Sequence, residues 1–288
     1  MERYDIAIVG SGPAGLEAAV NAKIRNKNII FFGSSDLSDK LSKAPLINNY
    51  LGFSEITGND LKIKFQQHIN DMNIFLVYER INTIYAMGDY FTLMVNEKIY
   101  EARTVILATG VEYTKPLKGE EKFSGKGVGY CATCDAPLYK GKTVIAISYN
   151  KSFESEANYV NELAGKLYYV PLYEGKDKLN STIEIINEKP IEIQGGDRVT
   201  KLIFANRTVD TEGIFILKDS VPPSQLVPGL EIDNGHIKVD RNMQTNIQGC
   251  FAAGDCIGKP YQYMKAAGEG QVAALNAVVY LDNLKWDF

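Results

Sequence analysis

The 288-residue sequence holds one tryptophan, two histidines and four cysteines, and these scarcities remove whole classes of reading. Four cysteines are too few for a disulfide scaffold. His68 and His236 leave little for a zinc centre, because Cys131 and Cys134 would need two further ligands and Cys250 and Cys256 do not form a second Cys-x-x-Cys. No metal site is expected. No apolar run approaches the roughly 18–20 residues that span a bilayer. The N-terminus also lacks the basic region, apolar stretch and small-residue cleavage site of a secretory signal. A cytoplasmic protein with no membrane partner is expected. Positive charge is not in excess either: 31 Lys+Arg against 35 Asp+Glu leave a net charge of −4. That balance argues against a nucleic-acid binder built on phosphate neutralisation. What remains is a globular composition, 45% hydrophobic and 23% charged, at a length that suggests two domains.

Residues 4–9 (Tyr-Asp-Ile-Ala-Ile-Val) read as a buried parallel strand. Gly10-Ser11-Gly12-Pro13-Ala14-Gly15 follows at once, then a helix over 16–24 and a second strand over 28–32. In such a βαβ unit Gly10 allows the tight turn, Gly12 the close approach of a pyrophosphate, and Gly15 the packing of helix on strand. The helix N-terminus offers free N–H groups to the phosphates. A dinucleotide site is therefore expected at Gly10, Gly12, Pro13, Ala14 and Gly15. Gly33 stands where an acidic ribose ligand is frequent, which leaves Ser34 or Ser35 to replace it. Strands near 104–108 and 249–253 run into Thr109-Gly110 and Gly254-Asp255. A second βαβ unit reads as a strand over 143–147, a helix over 153–164 and a strand over 167–170. Residues 181–218 alternate in the manner of antiparallel strands, and a last helix covers 265–281. The expected fold class is α/β, with two Rossmann-like, three-layer ββα domains, the second inserted in the first and degenerate. The first would take 1–114 and 242–288, and the insert 115–241.

Cys131-Ala132-Thr133-Cys134-Asp135 carries the chemistry of the insert. Two intervening residues let both sulfurs meet within one turn, a spacing that reads as redox. With Cys131 at the start of a helix, the dipole favours its thiolate. Asp135 can act as an acid or base if burial raises its pKa.

The glycine turn, Ala108-Thr109-Gly110, the Cys-x-x-Cys-Asp run and Phe251-Ala252-Ala253-Gly254-Asp255 occur in that order. Together they resemble the low-molecular-weight thioredoxin reductase family of FAD-dependent disulfide oxidoreductases, across nearly the whole chain. The resemblance implies FAD as cofactor. Its contacts would be Gly10, Gly12, Pro13, Ala14, Gly15, Gly33, Ser34, Asn49, Ala108, Thr109, Gly110, Gly254 and Asp255, with Gln262, Tyr263 and Met264 against the flavin ring. It also implies Cys134 as the sulfur nearest the flavin, Cys131 as the sulfur that attacks the protein substrate, and Asp135 as the proton carrier. Thioredoxin as that substrate, a homodimer, and rotation of the insert about links near 115–117 and 240–242 follow from the same resemblance.

The insert departs from the family where NADPH should bind. Its first strand runs into Ser148-Tyr149-Asn150-Lys151-Ser152-Phe153, with no glycine. A pyrophosphate cannot approach the backbone past Tyr149 and Phe153. Where a basic pair is expected, the sequence reads Pro171-Leu172-Tyr173-Glu174. NADPH is therefore not expected, and the chain resembles the ferredoxin-dependent flavin thioredoxin reductases, with ferredoxin as donor. Plant-type ferredoxins near −400 mV and thioredoxin near −270 mV leave a gap of about 130 mV, roughly 6 kcal/mol for two electrons. An acidic ferredoxin would dock on Lys and Arg, but Lys40, Lys43, Lys62 and Lys64 single out no patch. Cys250 and Cys256 read as small buried hydrophobes, both histidines as surface residues, and Trp286 and Phe288 as packing. Alternative readings are an NADPH-dependent thioredoxin reductase with a divergent site, a dithiol oxidase using oxygen, and a non-catalytic redox sensor.

Overall fold

Ile6 to Val9 are buried together, as an apolar run without alternation requires of a strand covered on both faces. They belong to β1 (Tyr4–Val9), which lies inside a seven-stranded sheet. The computed structural model describes residues 3–34, 37–96, 98–111, 116–130, 132–175, 178–218 and 222–284, with Asp39, Thr133 and Cys134 described in backbone alone.

β2 (Ile29–Phe32) and β3 (Leu76–Val77) continue the parallel sheet on one side of β1, and β6 (Lys98–Leu107) lies on the other. Ile8 sits opposite both Phe31 and Ile106. β4 (Thr83–Ala86) and β5 (Phe91–Val95) form an antiparallel meander that pairs with the first half of β6. The second half of β6 pairs in parallel with β17 (Cys250–Ala252). Three helices, α1 (Pro13–Ile24), α2 (Asp39–Ser42) and α3 (Gly58–Asp71), follow β1 and β2 in the chain, and Thr57 caps α3 by accepting from the Asp60 N–H. The core joins Ile6, Ile8, Ala18, Phe31, Ile106 and Phe251 to Ala273 and Ala277 of α7 (Tyr263–Leu284). Small residues let α1 and α7 meet closely: a Cβ on Gly270 would lie 2.0 Å from the Ala14 carbonyl oxygen.

The second unit has a parallel sheet of its own, in the order β10-β9-β8-β14-β7. Its strands are β7 (Val128–Gly129), β8 (Thr143–Ser148), β9 (Lys166–Pro171), β10 (Glu184–Ile185) and β14 (Gly213–Leu217). α4 (Ala132–Asp135) follows β7, and α5 (Glu154–Leu163) joins β8 to β9. The antiparallel expectation for 181–218 holds only for β11 (Pro190–Gly195), β12 (Val199–Phe204) and β13 (Thr208–Asp210). β10 and β14 run parallel to their neighbours instead. All five residues of β14 are buried, the mark of a central parallel strand rather than a half-exposed antiparallel one.

The chain divides into residues 1–111 with 222–288, and 112–221. It thus returns to the first unit at Pro222, earlier than the expected Asn242. Hydrogen bonds explain the difference. Asn246 donates to the Gly229 carbonyl at 2.8 Å and accepts from the Glu231 N–H at 2.9 Å. These tie α6 (Pro223–Leu226) and the hairpin of β15 (Ile232–Asp233) and β16 (His236–Ile237) to the segment leading into β17. The expected second link at 240–242 therefore lies within the first unit, where Asp240 and Gln244 exchange hydrogen bonds. Among the described residues no helix is long and apolar enough to cross a membrane.

Candidate functional site

In the first unit the carboxyl ends of β1, β2, β6 and β17 come together, the edge where open parallel sheets take ligands. Gly10 has φ +109°, and a Cβ there would lie 2.2 Å from the Ala108 carbonyl oxygen, so only glycine permits this meeting of β1 and β6. Gly15 is held as tightly, with a virtual Cβ 1.7 Å from the Gly10 carbonyl oxygen. Gly12 differs: a Cβ there would meet nothing within 4 Å. It forms the N-cap of α1 with no side-chain cap, and Pro13 opens the helix. The result is an open cradle facing uncapped helix N–H groups, which fits the pyrophosphate of a dinucleotide.

The other expected contacts lie as follows. Gly33 touches Ser11, whose hydroxyl accepts from the Ser34 N–H at 2.9 Å. Ser35 lies outside the described residues. Thr109 and Gly110 follow β6, and Gly110 takes φ +69°. Gly254 takes φ +84°, and its N–H donates to Glu269 at 3.1 Å, so α7 holds the turn that carries Asp255. Asp255 is half-buried, and desolvation raises its pKa against the pull of Lys40 and Lys265. Asn49 donates to the Gln262 side-chain oxygen at 2.8 Å, and the Tyr263 hydroxyl donates to the Lys40 carbonyl at 3.3 Å. Met264 is 36% exposed. Lys40 and Asn49 of one stretch and Gln262 and Tyr263 of another, distant in sequence, are thus joined.

The dithiol segment belongs to the second unit. Cys131 lies outside the described residues, as does the side chain of Cys134. The backbone of Cys134 is in α4, which begins directly after Cys131. Asp135 closes α4, and its carboxylate approaches β7 where a Cβ on Gly129 would lie only 2.6 Å away. Burial raises the Asp135 pKa. A carboxyl group in that environment holds its proton to higher pH than usual, which suits an acid beside a thiol pair.

The turn after β8 is built to a different end. Ser148 donates to the Asn150 carbonyl at 2.9 Å, and the Asn150 side chain accepts from the Ser152 N–H at 3.0 Å. Phe153 is 5% exposed and Glu154 0%. The Glu154 carboxylate begins α5 and accepts from the Tyr173 hydroxyl and the Lys178 N–H, both at 2.8 Å. Tyr169 and Tyr173 share a further hydroxyl contact at 2.8 Å. An internal carboxylate thus sits at the helix N-terminus that would face a phosphate.

Residues 4–149 and 176–270 match the family described as pyridine nucleotide-disulphide oxidoreductase. The chain belongs to this family. A thioredoxin reductase of Ureaplasma parvum is 33% identical over 307 residues, spanning 99% of each chain. One from Mycoplasma genitalium is 33% identical over 295 residues, spanning 94% of this chain and 93% of its own. A crystal structure of a ferredoxin-flavin thioredoxin reductase from Clostridium acetobutylicum is 62% identical and superposes with a TM-score of 0.92, covering 98% of this chain and 99% of that one.

Cys250 and Cys256 are buried free thiols, raised by desolvation to about 12 and about 11, so neither supplies a thiolate near neutral pH. His236 departs from the surface reading. Its Nε2 meets the Tyr261 hydroxyl at 2.7 Å and its Nδ1 the Asn234 carbonyl at 3.0 Å. It thereby braces the residue before Gln262, a role that no spacing in the sequence announced.

Proposed function

We propose that this protein is a flavoprotein that takes electrons from reduced ferredoxin and delivers them through the Cys131–Cys134 disulfide to thioredoxin. The observation that supports it is the turn after β8, which has no glycine and whose Glu154 carboxylate, held by Tyr173 and Lys178, stands at the start of α5, where a nicotinamide dinucleotide's phosphates would need free helix N–H groups. The likeness to the clostridial ferredoxin-flavin thioredoxin reductase supports the same reading.

FAD would lie along the carboxyl edge of the first unit. Gly10, Gly12, Pro13, Ala14 and Gly15 would hold its pyrophosphate, with Ala108, Thr109, Gly110, Gly254 and Asp255 beside it. Gly33 and Ser34 would face the adenosine ribose, and Asn49, Gln262, Tyr263 and Met264 the flavin ring. When bound, FAD supplies the conversion between single electrons and the electron pair a disulfide takes. Cys134 is assigned as the sulfur nearer the flavin and Cys131 as the sulfur that exchanges with thioredoxin. Asp135, whose pKa burial raises, would donate to the leaving thiolate. NADPH is not a substrate in this reading.

The protein is further read as a cytoplasmic homodimer. Steady-state turnover tests the proposal: reduced ferredoxin as sole donor should drive reduction of thioredoxin, and NADPH should not. Equal turnover with NADPH would transfer the assignment to a nucleotide-dependent reductase. Ferredoxin oxidation without thioredoxin reduction would favour a redox sensor.

A further inference from the structure

Glu120 and Lys218 are 1% and 4% exposed, a burial that ionised groups tolerate only when paired and hydrogen-bonded. They are paired with each other, Lys218 Nζ to Glu120 Oε1 at 3.3 Å. The same oxygen accepts from the Tyr130 hydroxyl at 2.8 Å, and Oε2 accepts from the Leu117 N–H at 2.8 Å. Lys218 Nζ also lies 5.5 Å from the centre of the Tyr130 ring. One carboxylate therefore gathers three donors from three separate stretches of chain.

Those stretches are the ones that matter for delivering a dithiol. Tyr130 follows β7 and immediately precedes Cys131. Lys218 follows β14, the parallel neighbour of β7, with Phe215 opposite Gly129. Leu117 lies just inside the start of the second unit at residue 112, and Lys218 just inside its end at residue 221. A buried ion pair is seldom needed for stability, since apolar residues of the same shape serve as well. What it does provide is fixed geometry, because each donor must sit in one place to keep the charge satisfied.

We propose that Glu120 is a positioning residue for the dithiol. Through Tyr130 it holds the residue next to Cys131, and through Leu117 and Lys218 it ties that residue to chain near both ends of the second unit. The proposal rests on the disulfide reductase reading above. Its test compares the full-length, FAD-loaded wild type with Tyr130→Phe and with the double variant Glu120→Gln/Lys218→Met. Tyr130→Phe keeps the ring and both charges and removes only the hydroxyl. It should lower ferredoxin-driven thioredoxin turnover about tenfold, the scale of a small misplacement of reacting groups. Flavin reduction by ferredoxin, which does not use the dithiol, should remain at the wild-type rate. In the chemically reduced protein, the pH profile of iodoacetamide alkylation of the Cys131–Cys134 pair should shift in both variants.

A fall in melting temperature with an unchanged alkylation profile and turnover would overturn the proposal and leave Glu120 a role in folding alone. The alkylation measurement needs no electron donor. A wild type unable to reduce thioredoxin would therefore count against the reductase reading, while the alkylation profiles still judged Glu120. If the double variant does not fold, Tyr130→Phe decides.

Discussion

The turn after β1 and the turn after β8 hold the same place in two βαβ units, each between a buried parallel strand and the helix behind it. They have opposite contents. The first is packed at its ends, Gly10 and Gly15, and open at its centre, Gly12. The second is closed throughout, with Asn150 capping its short helical turn, Phe153 in the core and Glu154 at the helix start. Two turns of one topology thus differ in a few side chains and not in the fold.

The comparison can be broken most severely at Gly12. Gly12→Val places its side chain in open space, so the apoprotein should keep its melting temperature while FAD retention falls at least about 100-fold, roughly 2.7 kcal/mol. Flavin absorbance per chain after purification measures it. Asp135→Asn should come next, with turnover down by about 100-fold or more for loss of a general acid. Its stability effect has the opposite sign. The folded-state pKa is raised, so the contribution of the protonated carboxyl is fully present below the ordinary carboxylate range and is lost as pH rises through the shifted value. Asp135→Asn should therefore melt higher than wild type at neutral pH, and the gap should close on acidification.

The second turn should answer differently. Phe153→Ala removes a buried ring and should cost about 3–5 kcal/mol in denaturant unfolding, with flavin content unchanged. Tyr173→Phe removes one donor to the Glu154 carboxylate and should cost about 1–3 kcal/mol by the same measurement. Loss of flavin in either variant would erase the contrast between the turns.

The sequence made the first turn legible because glycine at 10, 12 and 15 answers to backbone demands that hardly depend on the rest of the chain. The absence of glycine after β8 was readable for the same reason. The place of Asp135 beside the cysteines was legible in the sequence, although its burial was not. The parallel course of β14 is hard to read because alternation and continuous burial look alike over five residues that follow true antiparallel strands. The return at Pro222 was missed because the bonds that hold it, Asn246 to Gly229 and Glu231, join residues whose types are common in any loop. Glu120 and Lys218 were invisible for a plainer reason. They are 98 positions apart, and nothing local marks either as buried.

The most direct test follows the flavin absorbance of the oxidised protein under anaerobic conditions after addition of NADPH. The closed turn predicts no bleaching at millimolar NADPH within minutes, followed by full bleaching when reduced ferredoxin is added to the same cuvette. Bleaching by NADPH within seconds would contradict it.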